Sequence, residues 1–165
     1  MTRGDDTVID YLNRALTNEL TAVNQYWLHF RLFDHWGITR LAAYERKESI
    51  EEMEHADRIT ERILYLGGHP NFQRLGQLRI GETVEEVLAS DLALEADAIP
   101  LLREAIAHCE TVRDYVTRDL LLRILENEEE HVDFIEKQQE LIERMGLANY
   151  VQLQTAPATE QPVIG

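Results

Sequence analysis

Residues 48–64 read ESIEEMEHADRITERIL, and residues 126–136 read ENEEEHVDFIE. Each stretch holds a Glu-x-x-His pair, Glu52 with His55 and Glu128 with His131. Side chains three residues apart lie about 60° apart around a helix, so in a helix each pair shares one face. A single pair of this kind in a glutamate-rich chain is ordinarily a solvated helix face, and a second pair does not decide the matter. The spacing around them does. Glu19 precedes Glu52 by 33 residues and Glu95 precedes Glu128 by the same 33, so the set Glu19, Glu52, His55 recurs as Glu95, Glu128, His131 at a constant offset of 76.

The segments that carry these residues have a helical period and almost no strand signal. The first runs from about Thr7 to His35, with Ile9, Leu12, Leu16, Leu20, Val23 and Trp27 at three- and four-residue spacing, and stops near Gly37. The second runs from Thr39 to Leu66 and ends at Gly67-Gly68 with Pro70 just beyond, a C-terminal signature. The third opens on Thr83-Val-Glu-Glu86, a capping box, and continues to Thr111. The fourth covers Asp114 to Met145 and is closed by Gly146; LANYVQLQ after it offers a short fifth helix. Segments joined by short turns must be antiparallel neighbours, whereas residues 67–82 form a connection long enough to cross the length of a bundle. An all-α four-helix bundle with one long crossover follows, with a single domain over residues 1–154 and a flexible tail over 155–165.

In a helical hairpin, the distance from the turn sets the height of a residue. Gly37 lies 18 residues after Glu19 and 15 before Glu52, and a turn near Val112 puts Glu95 and Glu128 at matching distances. Six ligand-type side chains therefore meet at mid-height. Four carboxylates converging in a dry core repel one another and resist desolvation, and two divalent cations would neutralise them. Mixed carboxylate and imidazole donors suit iron or manganese and tolerate zinc, whereas magnesium and calcium have no need of histidine. Met53 belongs elsewhere. It is turned about 100° from Glu52 and about 160° from His55, so it faces away from that core, beside Ile50. On spacing alone it is a residue for packing on a neighbouring subunit.

Composition limits the remaining classes. The 165 residues are 44% hydrophobic and 28% charged, enough for one globular core. The net charge of −15 argues against nucleic acid or an anionic membrane as partner. No apolar run approaches the roughly 20 residues of a membrane span. The N-terminal stretch has no signal-peptide core, which points to a cytoplasmic protein. Cys109 is the single cysteine, so thiolate clusters and intrachain disulfides are excluded.

NELTAVNQYWLH, ESIEEMEHADRITERIL, SDLALE, ENEEEHVDFIE and MGLANYVQ together resemble the bacterioferritins over about residues 1–154. The resemblance implies a ferritin-like bundle with a short C-terminal fifth helix. It implies a dinuclear iron site in which Glu19 and His55 hold one iron, Glu95 and His131 the other, and Glu52 and Glu128 bridge, with Tyr26 close by. It implies Met53 as axial ligand of a haem b shared with the same methionine of an adjacent subunit, and a homo-oligomeric shell of 24 subunits. The implied activity is a ferroxidase that oxidises Fe(II) with O₂ or H₂O₂ and stores ferric mineral, with a ferredoxin as electron donor for iron release. Lys47 and Glu51 stand where some relatives carry histidine and aspartate on the cavity wall, which weighs against an inner-surface iron site of that kind. Arg46 replaces an aromatic residue of some relatives, and Trp27 flanks the expected haem pocket. Pro100, five residues after Glu95, cannot bond the Ala96 carbonyl and is expected to kink or bulge the third helix. A diiron oxygenase or peroxidase of the rubrerythrin kind is the rival enzyme, disfavoured by the missing CxxC pairs. A DNA-coating mini-ferritin is disfavoured by charge. A haem-binding or structural shell subunit with little ferroxidase activity is the non-enzymatic rival.

Overall fold

A computed structural model describes residues 3–158. The flexible tail expected over residues 155–165 falls largely outside the described residues. Five helices follow in order: α1 (Asp6–His35), α2 (Thr39–Tyr65), α3 (Val84–Thr111), α4 (Tyr115–Met145) and α5 (Leu147–Leu153). Their bounds match the sequence expectation to within a residue or two. The starts of α1 and α3 are fixed by side-chain caps. Asp5 accepts from the Val8 amide, and Thr83 accepts from the Glu86 amide while Glu86 reaches back to the Glu82 amide. Gly37 and Gly67 supply the positive φ that ends α1 and α2, at +81° and +85°. α3 remains α-helical through Pro100, which lies on its exposed side, so the proline does not interrupt the helix that carries Glu95.

α1 packs on α2 and α3 on α4, with α1 against α3 and α2 against α4 completing the bundle. Two apolar cores lie at opposite ends. One gathers Leu12 and Leu16 of α1, Ile59 and Ile63 of α2, Leu102 of α3 and Leu121 of α4. The other gathers Phe30 and Phe33 of α1, Leu41 of α2, Val87 and Leu88 of α3 and Ile135 of α4, with Tyr150 of α5 closing it. The first core therefore holds the C-terminal ends of α2 and α3, while the second holds the beginnings of both. α2 and α3 run parallel. Only a connection as long as the bundle can join two successive helices that run parallel.

The crossover is fastened along α1 by a row of polar side chains four or eight residues apart. Asn13 donates to the His69 carbonyl and accepts from the Asn71 amide, Thr21 accepts from the Gly76 amide, Gln25 from the Arg79 amide and His29 Nε2 from the Gly81 amide. His29 is fully buried, and its Nδ1 donates to Asp91 Oδ1 on α3 at 2.8 Å. Gln25 donates to the same carboxylate at 3.0 Å. One imidazole thus ties the crossover to both α1 and α3, and so sets the height of α3 relative to α1. His29→Ala leaves the Gly81 amide and Asp91 short of partners, at a cost of about 1–3 kcal/mol. Limited proteolysis is expected to cut within residues 67–82 faster in that variant than in the wild-type chain.

Candidate metal centre

Between the two apolar cores lies a polar layer. Glu19, Glu52, Glu95 and Glu128 are each 1–2% exposed, and His55 and His131 are nearly as deep. The reason lies in the helices themselves: each residue sits on the stripe that its own helix buries, flanked one or two turns away by Leu12 and Leu16, Ile59 and Ile63, Leu102, or Leu121 and Ile124. A charge placed on a core stripe has no water to retreat to.

Two overlapping sets result. His55 Nδ1 stands 3.5 Å from Glu19, 3.7 Å from Glu52 and 3.4 Å from Glu128 Oε1. His131 Nδ1 stands 3.6 Å from each of Glu52, Glu95 and Glu128 Oε2. Glu52 and Glu128 belong to both sets, and Glu128 turns one oxygen to each. Within each set the four donor atoms all lie within 4.8 Å of one another, near enough to converge on one cation. The unpartnered atoms point the same way. Glu19 Oε2, Glu52 Oε1, Glu95 Oε2, Glu128 Oε1 and the Nδ1 of both histidines are buried without a hydrogen bond. Buried polar atoms are rarely left so, and six in one layer fit two cations.

Protons take the cations' place when no metal is bound. Burial, then repulsion from Glu128, pushes Glu52 and Glu95 far above the usual carboxylate range. Burial opposes charge on the histidines, but the adjoining carboxylates of Glu128 and Glu19 hold His55 at about 10, and those of Glu128 and Glu95 hold His131 at about 11. Glu128 also resists burial and remains ionised, held well below its usual range by Glu95, His131 and His55.

Side chains behind the six complete the layer. The Tyr26 hydroxyl donates to Glu95 Oε1, and its ring meets His131 edge-on at 6.1 Å. His55 Nε2 faces the Asn127 amide at 3.4 Å, whereas His131 Nε2 faces Glu48, with Glu51 at 3.5 Å. Burial, with help from Glu51 and Glu128, lifts Glu48 to about 7 against the opposing pull of His131. The two halves of the centre are therefore unlike: a neutral amide backs one imidazole and carboxylates back the other. Glu45, Glu48, Asp91 and Asn127 have no motif of their own in the sequence. Glu45 and Glu48 share the inward face of α2 with Glu52, two turns and one turn earlier respectively, and that period was the signal available for them. Glu45 keeps its proton through burial and the neighbouring charge of Asp91. His29, Glu45 and Asp91 form a second buried group, but both nitrogens of His29 are committed to Asp91 and the crossover.

Met53 lies apart. It is 41% exposed on the outer face of α2, where Ile50, Glu54, Asp57, Arg58 and Glu61 line a groove with it. Trp27 and Leu28 of α1 are also large, apolar and exposed.

An antiparallel-hairpin bundle with one crossover and two carboxylate-bridged ligand sets at its middle defines the ferritin-like class. The family model described as a ferritin-like domain matches residues 9–145. The chain is 50% identical over 155 residues to a bacterioferritin of Rhodobacter capsulatus, spanning 94% of this chain and 96% of the relative. It is 49% identical over 158 residues to one of Brucella melitensis, at 96% and 98%, and 44% identical over 163 residues to one of Streptomyces coelicolor, at 97% and 98%. The chain belongs to the bacterioferritin family.

Because protons on His55, His131, Glu52 and Glu95 occupy the centre until metal arrives, binding must expel them. Titrating Co²⁺ into metal-free protein at pH 7 should release protons into a weak buffer. The apparent affinity should rise between pH 5.5 and 7.5, because each group has a raised pKa and gives up its proton more readily as pH increases. An affinity flat across that range would contradict this protonation pattern.

Proposed function

We propose that the chain is an iron-storage ferroxidase, with Fe(II) as substrate at the six-residue centre and O₂ or H₂O₂ as electron acceptor. Iron storage is the function of the family, and ferroxidase activity is general among its members. The observation that carries the reading is the pair of buried ligand sets sharing Glu52 and Glu128. Glu19 and His55 would hold one ion and Glu95 and His131 the other, with Glu52 and Glu128 between them. Each ion yields one electron, so a bridged pair delivers the two electrons that take O₂ to H₂O₂ or H₂O₂ to water. Four carboxylates in a dry layer stabilise Fe(III) over Fe(II), which drives the transfer. The protons expelled on metal entry can return to the reduced oxidant. Tyr26 restrains Glu95 through its hydroxyl, and Asn127 and Glu48 restrain the rings of His55 and His131.

The remaining features follow as parts of one assembly. The exposure of the large apolar side chains Trp27, Leu28, Ile50 and Met53 supports burial against a second copy, within a closed homo-oligomeric shell of 24 subunits enclosing the mineral. Met53 offers one sulfur at the edge of a groove, half of what a bis-methionine haem b requires, and the second copy across a twofold axis supplies the other half. Such a haem would pass electrons inward from a ferredoxin-type donor for iron release. A chain whose only cysteine is buried has no use for an oxidising compartment, which supports a cytoplasmic location.

Stopped-flow oxidation of Fe(II)-loaded protein by air should show a fast ferric phase that saturates at two irons per chain. Glu128→Ala removes an oxygen from both ligand sets, and its fast phase should fall at least about 10²-fold, consistent with loss of a metal ligand. Oxidation no faster than buffer in the wild-type chain would instead favour a structural shell subunit. For the haem, Met53→Leu should abolish the Soret band of reconstituted protein while leaving the fast ferric phase intact.

A further inference from the structure

The outer stripe of α2 carries a cation on one side of Met53 and its anions on the other. Arg46 stands two helical turns before Met53 and about 20° from it around the helix, with Ile50 between them. Its side chain is half-buried, and Nε is buried without a hydrogen bond. Among the described residues the guanidinium makes no ion pair, and it rests over the ring of Trp27 at 5.9 Å. A guanidinium cannot shed its charge, so a half-buried one is costly until an anion reaches it. Asp57 and Glu61 follow Met53 on the groove that Met53 and Ile50 line. Both are exposed, and neither is ion-paired among the described residues. Along one helix, Arg46 lies about 16 Å from Asp57 and about 22 Å from Glu61, so a single chain cannot join them.

We propose that Arg46 of each copy pairs with Asp57 and Glu61 of a second copy, and that this reciprocal ion pair fixes the antiparallel register in which two α2 helices meet. The proposal rests on the reading of Met53 as a residue shared across a twofold axis, and adds the charges that select that axis. Laid antiparallel about Met53, each α2 carries its Arg46 about 10 Å from the axis. The partner's Asp57 and Glu61 lie about 6 and 12 Å from the axis on that same side, so the guanidinium falls between them. Apolar contact through Ile50, Met53 and Trp27 has no direction of its own and tolerates other registers. A parallel register sets Arg46 against Arg46 and the acids against one another. A slipped antiparallel one buries the guanidinium without a partner. Two chains of net charge −15 also repel as they approach, and a cation opposite the acids offsets that repulsion where the helices touch.

The test uses that reciprocity, in haem-free full-length chain followed by analytical ultracentrifugation. Arg46→Glu sets like charges at both ends of the contact, and so does Asp57→Arg/Glu61→Arg. Each variant alone should need at least about 100-fold more protein than wild type to assemble. An equimolar mixture of the two should assemble as wild type does, because each chain then offers the charge that the other lacks. A defect within one chain would not be rescued by mixing. Should Arg46→Glu fail to fold, Asp57→Arg/Glu61→Arg decides alone, since both its changes lie at exposed positions. Normal assembly of either variant, or a mixture of folded variants that stays dissociated, overturns the proposal. So does an Arg46→Glu chain that assembles normally and loses only its Soret band on haem addition, which would assign the guanidinium to a haem carboxylate. A wild-type chain that does not self-associate ends the shell reading together with this pairing, whereas a failure confined to the variants ends the pairing alone.

Discussion

Four carboxylates that must share one dry layer are the constraint on which the rest of the structure depends. Their mutual repulsion and lost hydration oppose folding, and apolar packing at both ends of the bundle holds them in place all the same. In the metal-free chain, protons resolve the conflict by settling on Glu52, Glu95 and both histidines, while Glu128 remains charged beside Glu95 and the two imidazoles. Cations resolve it better. On the proposed reading, the same layer that weakens the empty fold would give two iron ions a place to lose electrons.

The centre also depends on a feature remote from any ligand. Glu95 reaches the layer only if α3 stands at the right height beside α1, and no short turn fixes that height. The crossover fixes it, through amides that meet Asn13, Thr21, Gln25 and His29 in turn, and through the bond from His29 to Asp91, one turn before Glu95. Gly81 must be glycine for this path. A Cβ there would intrude on the backbone nitrogen of Val87, in the first turn of the helix that carries Glu95.

Much of this was legible in the chain. The recurrence of Glu19, Glu52, His55 at an offset of 76 depends only on helical period and hairpin geometry, both local properties. Thr83 with Glu86 gave the start of α3, and Gly37 and Gly67 the ends of α1 and α2, because caps are written in a few adjacent residues. Other parts were hidden for physical reasons. The polar row on α1 reads as a solvated helix face, since nothing local reveals that a distant loop will cover it. The α3–α4 turn carries no glycine, and Arg113 takes the left-handed conformation instead, at φ +61°. Asn127 and Glu48 support the two histidines from different helices, α4 for His55 and α2 for His131, and only tertiary packing brings them together. The asymmetry between the two halves of the centre arises from those contacts, so the symmetric repeat could not show it.

The most direct test of the central claim is the distance between the two metals. Fe K-edge X-ray absorption on protein loaded anaerobically with two Fe(II) per chain and then oxidised should show iron scattering from a second iron at about 3.5–4 Å, as carboxylate bridging by Glu52 and Glu128 requires. Iron with nitrogen and oxygen neighbours but no iron neighbour would contradict it, and would mean that the two ligand sets bind separately or not at all.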